Sequence, residues 1–270
     1  VTGIGGLSGG LSGGDVIYLM ASTADDYPDG GMGNQTVTNG YYGSTWGIVQ
    51  VRGVNADTLE EDGSQYLVAG NANQYLTRFS DHDNFAYYNC TIVGHWNSYS
   101  SGHLGFYYNC VFTDSARITT ATGEGGLDKS NFKYNFSDDN GKIVFRNCKF
   151  VATGYNSNYQ SAVTLSGQAG IDGDMFESCE FIGYPGPAIS NSRQSYVMNC
   201  RFIGCASAVE SGYRSNNGYV YFINNIVDNT SSHAFIHDYM NSTAKNSVKS
   251  HVSIGNIFNN IGGYINYYKE

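Results

Sequence analysis

Residues Ser195–Gly204 read SYVMNCRFIG, and the chain holds near copies of this decapeptide. FAYYNCTIVG (85–94), GFYYNCVFTD (105–114), IVFRNCKFVA (143–152) and DMFESCEFIG (174–183) share its plan. Two apolar residues alternate with others, an Asn or Ser precedes a Cys, and an apolar residue follows two positions later. Aligned on Cys90, Cys110, Cys148, Cys179 and Cys200, the copies stand 20, 38, 31 and 21 residues apart. Two further copies, YFINNIVDN and VSIGNIFNN, place Asn225 and Asn256 at the cysteine position. A fixed short core with irregular spacing marks a solenoid whose strands stack while its loops vary in length. Alternation before the Asn predicts a strand with one buried face. The Asn predicts a bend, because it tolerates left-handed φ and bonds its own backbone.

A second series supports the same plan. SAVTL (161–165), PAISN (187–191), SAVES (207–211) and HAFIH (233–237) each set Ala before a larger apolar residue. Two strand series that repeat together, separated by turns, describe coils of a parallel β-helix. Stacked strands lie about 4.8 Å apart, so equivalent residues form ladders along a common axis. Cys90, Cys110, Cys148, Cys179 and Cys200 are expected to form one inward ladder of free thiols, with Phe112, Phe150, Phe181 and Phe202 beside it. Asn89, Asn109, Asn147, Asn199 and Asn224 form an expected ladder at the bend, where amides can bond coil to coil. Cys205 falls outside the series, and the sequence leaves its bonding state open.

Composition agrees. Charged residues are only 14% of the 270, against about 25% in typical soluble domains. Gly (35), Tyr (23) and Phe (14) are plentiful, and residues of this kind with Asn and Ser favour turns and strands over helix. A net charge of −9 with 14 scattered Lys and Arg argues against a nucleic-acid partner, which needs a basic stripe. No apolar run approaches the roughly 18 residues of a membrane-spanning helix, so no membrane span is expected. No CxxC pair points to zinc.

The Asn-Cys-x-Phe runs, together with the opening GGDVIYLMAS (13–22) and YYGSTWGIVQVRGV (41–54), resemble the right-handed parallel β-helix (pectate-lyase-like) superfamily over roughly residues 14–262. The expected fold is therefore all-β: a single-domain right-handed β-solenoid of about 7–9 coils over residues 15–270, preceded by a Gly-rich extended arm at 1–14. The superfamily includes lyases, hydrolases, esterases, phage proteins and adhesins, so the resemblance bears on fold far more than on activity.

Neither end shows helical periodicity, so no capping helix is expected over the sheet edges, which are templates for pairing. The arm VTGIGGLSGGLSGG spaces Val1, Ile4, Leu7 and Leu11 three to four residues apart. A Gly/Ser-rich stretch reads first as a flexible linker, whereas regular apolar beads suit packing on the same domain or on a neighbouring subunit. The partner so implied is a second copy of the chain, reached through the arm and the uncapped ends.

Catalytic candidates are confined to loops. SDHDN supplies Asp81 and Asp83, and SDDNGK supplies Asp138 and Asp139; both read as polar turns, and the second also matches an Asp pair of polygalacturonase-type hydrolases without their other motifs. Hydrolysis of a glycoside requires carboxyls roughly 5–9.5 Å apart. The outward row predicted beside the Ala series (Thr164, Ser190, Glu210, Ile236) holds one carboxylate. GIDGD offers Asp172 and Asp174 as calcium candidates that read equally as a turn. His95, Trp96, Tyr99 and His103 in GHWNSYSSGH form a candidate glycan contact, or an ordinary aromatic lid. The functional expectation is an extracellular, cell-surface or virion structural subunit, a filament former or adhesin, non-enzymatic and without cofactor. A polysaccharide lyase or glycoside hydrolase, with calcium if a lyase, and a non-catalytic carbohydrate-binding module are the alternatives.

Overall fold

The computed structural model describes residues 16–19, 36–37, 49–55, 57–62, 66–69, 78–79, 85–93, 97–99, 104–113, 134–137, 142–152, 161–166, 174–192, 195–211, 220–238 and 251–269. The arm at 1–14 lies outside them. Among the described residues every regular element is a β-strand of two to six residues, and no helix is long and apolar enough to cross a membrane. The strands assemble into parallel sheets of nine, eight and seven members, with a further two-stranded pair, Thr36–Val37 and Arg78–Phe79.

From Phe85–Tyr88 onward, consecutive strands visit the three sheets in turn. Ser195–Met198 lies in the nine-stranded sheet, Arg201–Ile203 in the eight-stranded and Ser207–Ser211 in the seven-stranded. The next three strands, Val220–Ile223, Ile226–Thr230 and Phe235–Asp238, repeat the cycle and pair in parallel with the previous three. These are the stacked short parallel strands of a β-solenoid.

Alternation decides which side chains enter the core. Ser195–Met198 and Val220–Ile223 both alternate buried and half-buried positions. In the nine-stranded sheet the inward row Val51, Tyr87, Tyr107, Phe145, Phe176, Val197, Phe222 is buried throughout. Phe112, Phe150, Phe181 and Phe202 line the eight-stranded sheet with ring centroids 4.7–4.8 Å apart and planes within 7° of parallel. That spacing equals the distance between strands, so each ring stacks squarely on the next. The seven-stranded sheet contributes Val163, Ile189, Val209 and Phe235, and Ala162, Ala188, Ala208 and Ala234 sit buried beside them. Rings from adjoining sheets meet edge to face, as Phe145 does Phe150 at 5.2 Å, the arrangement favoured by the ring quadrupoles.

Two corners carry left-handed backbone. At the first, Asn89, Asn109, Asn147, Ser178, Asn199 and Asn224 have φ between 51° and 55°. At the second, Gly183 and Gly204 are followed by Asn229 and Asn260 in the same region. Backbone amides at the corners still reach the neighbouring coil: Asn147 donates to Glu177 at 3.0 Å and Asn199 to Ile223 at 3.0 Å.

Candidate assembly site: the ladders and the terminal coil

The five ladder cysteines are buried free thiols. The S–H groups of Cys110, Cys148, Cys179 and Cys200 each lie within reach of two carbonyls, one local and one from the preceding coil, and Cys90 reaches the local Tyr88 O at 3.2 Å. Cys148 reaches Arg146 O at 3.4 Å and Tyr107 O at 3.3 Å; Cys200 reaches Met198 O at 3.3 Å and Phe176 O at 3.4 Å. Cys205 is also free and fully buried. Burial disfavours the thiolate, pushing Cys148, Cys179 and Cys200 well above the usual thiol range and Cys205 up to about 11.

The corner row begins in a charged group. Asn109 Nδ2 donates to Asn89 Oδ1 at 2.6 Å, and Asn89 Nδ2 donates to Glu61 Oε2 at 2.6 Å. Glu61 also pairs with Arg52, whose guanidinium lies 4.4 Å from the Tyr88 ring centroid. Tyr88 stacks on Tyr108 at 5.3 Å, and the Arg146 guanidinium covers the far side of Tyr108 at 5.5 Å. Both faces of each tyrosine are therefore taken, which leaves only ring edges and hydroxyls outward. A sugar that stacks on a ring face finds none on this pair.

The sequence-derived site residues divide sharply. Asp81, Asp83, Asp138, Asp139, His95, Trp96, His103 and Asp172 lie outside the described residues, as do Val1, Ile4, Leu7 and Leu11. Tyr99 closes the strand Asn97–Tyr99 and Asp174 opens Asp174–Glu177, paired with Ser195. Among the described residues no group of three or more His, Cys, Asp or Glu is placed to hold a metal. On the outer face of the seven-stranded sheet, Ser190 Oγ donates to Glu210 at 3.3 Å. On the eight-stranded sheet, Glu180 lies between Lys149 (3.6 Å) and Arg201 (3.3 Å). Such exposed pairs contribute about 0–1 kcal/mol each.

The last coil departs from its predecessors. In the thiol row Cys200 is followed by Asn225 and then Asn256. Asn225 is fully buried, a costly place for an amide unless every polar atom is satisfied. Its Oδ1 accepts from Cys200 N at 2.7 Å, and its Nδ2 donates to Val197 O at 2.9 Å. Asn256 repeats the pattern one coil on, accepting from Asn225 N and donating to Phe222 O, both at 2.7 Å. Ser253 stands in register with Phe222, and Asn266 with Phe235; both replacements are exposed. Phe258 and Ile261 still pack against the core. Inward apolar positions thus give way to polar ones, while the outward positions of the same coil carry Val252, Ile254 and Ile257, all exposed. Sequence reasoning missed this exchange, although it is visible as polar Ser and Asn at positions where earlier copies hold Phe.

Set against known proteins, the chain matches no family model, no curated protein and no solved structure.

Proposed function

We propose that this chain is a structural β-solenoid subunit that assembles with copies of itself, working outside the cell, at a cell surface or on a virion. On this reading the coil is right-handed with seven to nine turns, and its function is mechanical: a stiff rod with variable loops along its sides. One observation carries the reading. The strands His251–Ile254, Ile257–Ile261 and Asn266–Lys269 are each the outermost of their sheet among the described residues, and they lie together in one coil. Three strand edges on one surface are three rows of backbone donors and acceptors available to a further coil. The in-register aromatic and thiol rows support the mechanical part, since neighbouring coils share interlocked rings and hydrogen bonds.

Electron microscopy of the purified chain, with light scattering over a concentration series, tests the proposal. Rods that lengthen with concentration support it. A monomer at every concentration overturns it. Release of unsaturated or reducing sugars from an acidic polysaccharide, abolished by Asp138→Ala or Asp81→Ala, replaces it with an enzymatic function.

A further inference from the structure

We infer that assembly proceeds head to tail, through addition of the strand Val16–Leu19 of one copy to the strand His251–Ile254 of another, in register; this rests on the self-assembly reading above. Among the described residues the two strands are the opposite margins of the same nine-stranded sheet. Two outward rows cross that sheet without a break in register. One runs Val16, Gln50, Ala86, Phe106, Val144, Met175, Tyr196, Tyr221, Val252. The other runs from Tyr18 through Arg52, Tyr88, Tyr108, Arg146 and Glu177 to Ile254.

Only the ends of these rows are strongly exposed hydrophobics. Val16 is 41% and Tyr18 56% accessible at one margin; Val252 is 38% and Ile254 56% at the other. Continuing the register by one strand sets Val16 against Val252 and Tyr18 against Ile254, apolar on apolar in both rows. Side-by-side pairs of this kind are the unit of sheet stabilisation, and a parallel ladder between the two margins adds a row of backbone hydrogen bonds. A symmetric contact of like ends would set two copies of one strand antiparallel, whereas every described neighbour in this sheet is parallel. A head-to-tail contact does not close on itself and generates an open filament.

The polar inward residues of the last coil fit the same account. Had Ser253 and Asn266 been aromatic like Phe222 and Phe235, the core would end in a bare apolar surface. With them polar, the inward side of the last coil exposes Ser253 and Asn266, while exposed Val252 and Ile254 lie on the outward side.

The test uses the full chain with two single variants, Val16→Cys and Val252→Cys, mixed and treated with a short bis-maleimide. In one molecule these positions are eight strand spacings apart, about 38 Å at about 4.8 Å each, so a cross-link joining them is intermolecular. The expected result is a covalent dimer in the mixture, none from either variant alone, and none when Arg201→Cys replaces Val252→Cys. Filaments that form without the 16–252 cross-link overturn the inference but leave the self-assembly reading standing. Cross-linking of Val252→Cys to itself also overturns the inference, in favour of like ends meeting. Absence of any assembly overturns both. Independently, Ile254→Lys and Tyr18→Lys are each expected to raise the critical concentration for assembly at least tenfold with an unchanged circular-dichroism spectrum. Assembly at the parent concentration by both variants counts against the inference.

Discussion

Asn256 lies directly beneath Asn225, and its Oδ1 accepts from both the backbone N–H of Asn225 at 2.7 Å and its Nδ2 at 3.1 Å. One side chain thus holds two coils together at the point where the thiol row ends. The preceding coils need no such clamp, since their cysteines fill the position with a small apolar group that donates weakly. The amides are an alternative filling whose stability depends on complete hydrogen bonding.

Replacing Asn225 with Ala leaves Cys200 N–H and Val197 C=O without the partners they have now, both at buried residues. Unsatisfied buried groups cost about 1–3 kcal/mol apiece, so Asn225→Ala is expected to lose about 2–6 kcal/mol in urea unfolding. Asn225→Cys, which restores the residue of the earlier coils, is expected to lose less than half as much. Equal losses in the two variants would contradict the assigned role of the amide.

At the corner, Asn199 has φ 55°. A residue with a Cβ and no compensating local hydrogen bond pays about 1–2 kcal/mol there, whereas Gly pays almost nothing. Asn199→Ala is expected to destabilise by about 1 kcal/mol and Asn199→Gly by less than half of that. A larger loss for Gly than for Ala in chemical denaturation would show that backbone conformation is not what selects Asn.

Gly204 and Gly255 provide a matched pair, with φ of 64° and 67°. A methyl on Gly204 meets nothing within 4 Å, but on Gly255 it falls 2.3 Å from Asn224 Oδ1. Both Ala variants carry the same backbone penalty, and only Gly255→Ala must also displace the Asn224 amide. Thermal melting is expected to rank Gly255→Ala below Gly204→Ala, with both below the parent.

Phe181 is sandwiched between Phe150 and Phe202 at 4.7 and 4.8 Å. Phe181→Ala is expected to cost about 3–5 kcal/mol and to split the unfolding transition, because coils contact only their neighbours and a gap in the middle uncouples the two sides. Calorimetry showing one sharpened transition would refute the quasi-linear coupling.

The buried thiol of Cys205 makes stability depend on alkaline pH. Its pKa is about 11 when folded against an ordinary 9.0, so the folded state binds the proton more tightly than the unfolded state. The contribution is complete below about pH 9 and is lost as pH rises through about 11. Two pH units correspond to about 3 kcal/mol. Cys205→Ala is expected to flatten this part of the stability–pH curve relative to the parent. An identical slope in the two proteins between pH 9 and 11 would argue that the thiol is not the titrating group.

The decapeptide repeat by itself determined which residues stack. Alternation assigns Val197 and Phe222 to the inside, and Asn, which after Gly best tolerates left-handed φ, marks the corner from Asn89 to Asn224. Both are local properties, set by the two-residue period of a strand and by backbone sterics, and they can be read without knowing the loops. Ser178 and the second corner, Gly183 to Asn260, follow the same logic in less regular spelling. Only the tertiary structure decided how the rows connect. Spacings of 20 to 38 residues between copies give no measure of register, so the alignment of Val16 with Val252 appears only once the loops are absorbed and the strands are paired. The mutual satisfaction of Asn225 and Asn256 and the covered faces of Tyr88 and Tyr108 are likewise invisible along the chain. Burial and hydrogen bonding belong to neighbours from other coils, and it is stacking, not adjacency in sequence, that brings them within reach.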